Sequence, residues 1–161
     1  MPNLFMEHDL NLAMLYINLR QQVESSQMQL AWQNTRMLEL QNLGVQPDAH
    51  IAITRNSNTR KAFVEYTAAR TSSEEITSKL DKYQSLFERL SPRAIWWMTK
   101  DKSTCEWITS IASKHSCGQY LMIAPYQDRT DLLTAPLWVS PVAEGLHAFV
   151  KLSISNRVNL T

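Results

Sequence analysis

Apolar positions between residues 10 and 40 recur mostly at helical spacing. The stretch from Leu10 to Leu19 is apolar nearly all round. Leu12, Tyr16, Leu19, Val23, Leu30, Met37 and Leu40 carry the register past a polar Glu24-Ser25-Ser26-Gln27. Asp9 is a suitable N-cap, and Gly44 followed by Pro47 closes the segment. Ser26 and Gln29 match a capping box, so the pattern fits either one long rod or two helices broken there. A helix apolar on every side is buried on several sides or packed against another chain. Leu10, Met14 and Ile17 are therefore the expected partner interface.

Residues 47–60 read as a loop, with turn chemistry at Asn56-Ser57-Asn58-Thr59. A short helix over 60–70 is expected to carry Phe63, Tyr66 and Ala69. Ser72 and Glu75 form a capping box. Behind it Ile76, Leu80, Tyr83, Phe87 and Leu90 share one helical face, and Pro92 ends the helix. Residues 93–98 are apolar enough for a buried strand or a short helix. Ser103 and Glu106 form a further capping box, opening a helix that Gly118 closes. The segments 120–124, 137–139 and 146–154 read as strands, the last on alternation of Leu146, Ala148, Val150, Leu152 and Ile154 with polar neighbours. The expected fold is α+β in one domain, 1–161. Its helical part spans 1–92 and its mixed α/β part 93–161, so that helices fill the first two-thirds and a small β-rich part ends the chain.

Composition narrows the chemistry. The chain has 161 residues, 44% of them apolar, which suits one globular domain. Its three glycines are Gly44, Gly118 and Gly145, too scattered for a phosphate-cradling loop. No apolar run reaches membrane-spanning length, the N-terminus lacks the marks of a secretory signal, and two cysteines make no disulfide framework. The expected location is the cytoplasm. The net charge of +1 is unevenly spread: residues 54–114 hold eleven Lys or Arg against seven Asp or Glu. That positive middle fits a nucleic-acid face and equally a solvated surface.

No residue set argues for catalysis. His115 and Cys117 are close in sequence, but two residues apart at a helix end their side chains need not meet. Cys105 and Cys117 would lie about 18 Å apart along one helix, too far to share a zinc ion. No metal, cofactor or small-molecule substrate is expected. Glu74–Glu75 suits a helix N-terminus and Asp128/Asp131 a loop, while Trp96-Trp97 suits core packing. Arg55, Arg60, Lys61 and Arg70, with Asn56 and Asn58 nearby, are the residue types that contact phosphates and base edges. They are the candidate nucleic-acid contacts.

The chain also resembles the FlhC-type subunits of FlhDC-like bacterial and plasmid-borne transcription activators. The similarity rests on Asp9 to Met14 with Ile17 and Leu19, then Arg36, Leu40, Gly44, Pro47 and Phe63. It continues through Lys82-Tyr83, Leu86-Phe87, Arg93-Ala94, Trp96 and Cys117 to Leu121, short matches with gaps between over roughly 9–124. Of the four zinc-binding cysteines of that family only Cys117 falls near such a position, and the tail after residue 134 has no counterpart. The resemblance implies a DNA-binding activator subunit working in a hetero-oligomer. The functional expectation is thus a non-enzymatic, DNA-binding regulatory subunit with a protein partner. The alternative is an interaction or structural subunit of a larger viral or plasmid-borne assembly, without nucleic-acid contact.

Overall fold

A computed structural model describes residues 4–34, 44–126, 131–133 and 138–147. Helix α1 (Leu4–Ser25) is followed by strands β1 (Gln29–Asn34), β2 (Ala49–Arg55) and β3 (Asn58–Thr67). Then come α2 (Ser73–Arg89), β4 (Ala94–Thr99), α3 (Lys102–Ala112), a 3-10 turn (Ser116–Tyr120), β5 (Leu121–Pro125), β6 (Trp138–Ser140) and β7 (Ala143–His147). The seven strands form one sheet in chain order. β1, β2 and β3 pair antiparallel, β3, β4 and β5 parallel, and β5, β6 and β7 antiparallel.

The fold is therefore α/β, which corrects the α+β expectation. The sheet is central, and three of its strands, β1, β2 and β3, lie within residues 1–92, the part expected to be helical. The expected continuation of the first helix turns instead at Gln27, a residue with φ 56°, and becomes β1. The expected loop over 47–60 is β2 and the start of β3, and the expected helix over 60–70 is the rest of β3. In β2, Ala49, Ile51 and Ile53 are buried in alternation, while β3 is buried on both faces from Ala62 to Tyr66. A strand covered on both sides loses the period-two signature, and Phe63, Tyr66 and Ala69 then mimic a helical face. Asn56 and Ser57, at φ 48° and 68°, make the two-residue turn of the β2–β3 hairpin. Val139 of β6 falls within the expected 137–139 strand; residues 148–154 lie outside the described residues.

Two apolar layers flank the sheet. Leu15, Leu19 and Val23 of α1 pack on Ile51, Ile53, Val64, Trp96, Met98 and Trp138. On the opposite face Ile76, Leu80, Tyr83, Leu86 and Phe87 of α2 and Ile108 and Ala112 of α3 cover Phe63, Ile95, Trp97, Leu121 and Ile123. The expected helix after Ser72 is present, with the Ser72 side chain accepting from the Glu75 N–H at 3.1 Å. Helix α3 is capped by Asp101, not by Ser103: the Asp101 carboxylate accepts from the Thr104 N–H at 2.7 Å. At Gly118 a Cβ would lie 2.2 Å from the Ala112 carbonyl oxygen, so only glycine lets the chain pass that close. No helix among the described residues is long and apolar enough to cross a membrane.

Candidate functional site

In open α/β sheets ligands gather beyond the carboxyl ends of the parallel strands. Here that end collects polar groups from α1, β2, β3, α2 and the segment after β4. Asp48 stands one residue ahead of the Ala49↔Val64 pair and so faces Glu65 across the two strands. Its N–H donates to the Val64 carbonyl at 3.0 Å, and its Oδ2 accepts from the Tyr66 N–H at 2.7 Å. His8 of α1 brings Nε2 to 3.4 Å from the same oxygen, with its ring 5.6 Å from that of Tyr66. Lys100, just past β4, meets Glu7 of α1 at 2.6 Å.

Glu65 is the unusual residue. It is 1% exposed, a carboxylate within the buried, otherwise apolar run of β3 from Ala62 to Tyr66. The Tyr83 hydroxyl donates to Oε1 at 2.6 Å, and the Lys79 ammonium donates to Oε2. Burial pushes its carboxyl up to about 7, against the opposing pull of Lys79, while the nearby Asp48 charge adds to the rise. Desolvation disfavours the Lys79 ammonium, but Glu65 and Asp48 overcome it and hold the group above its ordinary value. The His8 imidazole is raised chiefly by its hydrogen bond to Asp48. Burial pushes the Tyr66 phenol up to about 12, helped by Glu7 and Asp101. Lys79 also borders an open groove of about 460 Å³ between residues 45–46 and α2, lined by Val45, Gln46, Glu74, Glu75, Ser78 and Lys82. The buried acid is thus one side chain away from solvent.

Chemically, this is an acid near neutrality, a second carboxylate anchored by a backbone N–H, and a cation between the acid and a groove. Perturbed titratable groups at a strand end are a functional signature, although buried ion pairs perturb in the same way. Among the described residues no group of three His, Cys, Asp or Glu side chains could hold a metal ion together. Mg²⁺, by contrast, is commonly held by one or two carboxylates, with waters and substrate phosphates completing its shell.

The residues singled out in the sequence are distributed differently. Arg55, Arg60 and Lys61 are exposed on the β2–β3 hairpin, near its turn. Arg70 follows the opposite end of β3, roughly 20 Å or more along the strand. It donates to the Ser103 carbonyl at 3.0 Å and lies 5.9 Å from the Trp107 ring. Of the interface residues, Leu10 is 63% and Ile17 44% exposed, whereas Met14 packs partly against the core. His115 accepts from the Cys117 backbone N–H at 3.1 Å and reaches Asp81 at 3.1 Å. The Cys117 thiol is buried and pushed up to about 11, which makes it a poor nucleophile. Trp96 and Trp97 face opposite core layers. Glu74 and Glu75 occupy the first turn of α2, Asp131 is partly buried, and Asp128 lies outside the described residues.

His8, Asp48, Glu65, Lys79 and Tyr83 were not among the expected site residues. One signal was present: Glu65 interrupts the apolar run from Ala62 to Tyr66. Neither a protein-family model nor a curated protein matches the chain.

Proposed function

We propose that the protein binds nucleic acid and hydrolyses its phosphodiester backbone at the Asp48–Glu65–Lys79 centre. The observation that carries this reading is the buried Glu65, held near neutrality beside a second carboxylate and a lysine at the carboxyl end of the parallel strands. A divalent cation on the two carboxylates would neutralise phosphate charge and acidify a bound water. The chain's own residues do the rest. The Tyr66 N–H and His8 fix Asp48 in one orientation, and Tyr83 fixes Glu65. Lys79 is the resident cation on Glu65 and can turn into the groove toward a phosphate oxygen. Nucleic acid is favoured over a small phosphate ester by the basic hairpin around Arg55 and Lys61.

A second reading is favoured by a specific feature: both Glu65 oxygens already have protein partners. On that reading the centre is a structural ion pair, and the protein is the non-catalytic DNA-binding regulatory subunit expected from sequence.

The two separate on one experiment. Full-length protein is incubated with supercoiled plasmid and Mg²⁺ or Mn²⁺, beside Asp48→Asn and Glu65→Gln. Nicking by the parent that EDTA abolishes, and that each variant loses by about 100-fold or more with folding retained, supports hydrolysis. Binding without nicking in either metal rejects it in favour of the second reading.

A further inference from the structure

Helix α1 is apolar on two opposite sides, and only one of them meets the sheet. Leu15, Leu19 and Val23 reach the core, with Leu12 and Met14 partly buried beside them. The same inner side carries His8, held to Asp48, and the buried Asn18, whose amide donates to the Tyr126 hydroxyl at 2.9 Å. On the outer side Met6, Leu10, Ala13 and Ile17 follow at intervals of four, three and four residues. At 3.6 residues per turn these four fall within roughly 60° of one another, about opposite Leu15 and Leu19. All four are exposed. Of the five large apolar side chains exposed among the described residues, three belong to this stripe.

Alternating intervals of three and four make the seam of a helix pair, in which side chains of one helix enter the gaps of the other. The charges along the seam select the partner. Asp9, 74% exposed, borders one edge toward its N-terminal end. Arg20 borders the same edge toward the C-terminal end, joined to the Tyr16 hydroxyl at 3.2 Å and to Glu24 at 2.7 Å. A second copy laid antiparallel sets Leu10 opposite the partner's Ala13 and Met6 opposite the partner's Ile17, so that the large Leu10 meets the small Ala13. The same register brings Asp9 alongside the partner's Tyr16 and the partner's Arg20. Twofold symmetry makes that contact twice. A nucleic acid or an anionic membrane fits this face poorly, because Asp9 and Glu24 outnumber Arg20 along it.

We propose that the outer stripe of α1 is a homodimer interface, in which two copies pack their first helices antiparallel through Met6, Leu10, Ala13 and Ile17. Removing these side chains from water drives the association, and the Asp9–Arg20 contacts set its direction. Each copy keeps the inner side of α1 on its own sheet, with His8 on Asp48, so pairing requires no rearrangement of the fold.

Sedimentation equilibrium of the protein from about 1 to 100 μM is expected to show a reversible rise toward twice the 18.6 kDa chain mass. Leu10→Glu, at an exposed position, should stay monomeric over that range with an unchanged melting temperature. Asp9→Lys and Arg20→Glu each set like charges at both contacts and should weaken self-association by about fivefold or more. An equimolar mixture of those two variants restores opposite charges at both contacts and should associate as tightly as the parent. A parent that is monomeric throughout overturns the proposal, and so does one that instead binds phosphatidylcholine vesicles through Leu10. A dimer left intact by Leu10→Glu overturns it as well, because its interface then lies elsewhere. A mixture no tighter than either charge variant alone overturns the antiparallel pairing.

Discussion

Replacing Lys79 with Met isolates the energetics of the buried acid. In the parent, a carboxyl raised from 4.5 to about 7 corresponds to about 3 kcal/mol, at 1.36 kcal/mol per unit. The sign follows from proton linkage. Between pH 4.5 and 7 native Glu65 keeps a proton that the unfolded chain has released. Its contribution to stability therefore falls as pH rises through that window and is level above it. Lys79 and its hydrogen bond work against the rise, so their removal extends the window upward. At pH 8.5 an ionised Glu65 would lose its buried partner, a change that costs about 3–5 kcal/mol. At pH 5 the acid is protonated and the loss shrinks to about 1 kcal/mol, since Tyr83 still satisfies Oε1. Urea denaturation followed by tryptophan fluorescence at the two pH values measures both. An equal destabilisation at pH 5 and pH 8.5 would mean that the penalty is packing rather than charge.

Other sites give independent checks. Gly118→Ala forces a Cβ against the Ala112 carbonyl and should cost about 1–3 kcal/mol in thermal or urea melts. Ser72→Ala removes the cap of α2 and should cost about 1 kcal/mol, with Ser72→Asp restoring most of it. Cys105 and Cys117 are buried, with burial pushing both thiols up, so native protein at pH 7.5 should alkylate far more slowly than urea-unfolded protein.

What was legible in the sequence was local. Helix α2 announced itself because Ser72 and Glu75 mark its start and Ile76, Leu80, Tyr83 and Phe87 line one face. Helix α3 was visible for the same reason, though Asp101 rather than Ser103 caps it. The β2–β3 hairpin was hidden by its own burial. Val64 faces α1 while Phe63 and Glu65 face α2, so both parities are covered and alternation disappears. Asn56-Ser57 reads as turn chemistry, but without visible flanking strands it points to a loop. The candidate site was illegible for a related reason. Its members come from positions 8, 48, 65, 79 and 83, and only the pairing of β2 with β3 under α2 brings them together. With residues 60–70 expected as a helix, Glu65 has no strand end to belong to. The basic residues were legible as a set yet not as an arrangement: β3 separates Arg70 from Lys61 and sets Lys61 level with Arg93.

On the proposed function Asp48 and Glu65 hold a divalent cation for phosphodiester chemistry, and Mn²⁺ binding to the protein tests that proposal. Free Mn²⁺ is read by its electron paramagnetic resonance signal at pH 8, where Glu65 is mostly ionised. The parent should take up at least one Mn²⁺ per chain in the presence of a short duplex, in competition with Mg²⁺. Uptake should be lost in the folded Asp48→Asn, Glu65→Gln double variant. Equal uptake by parent and variant, or none by either, would contradict it.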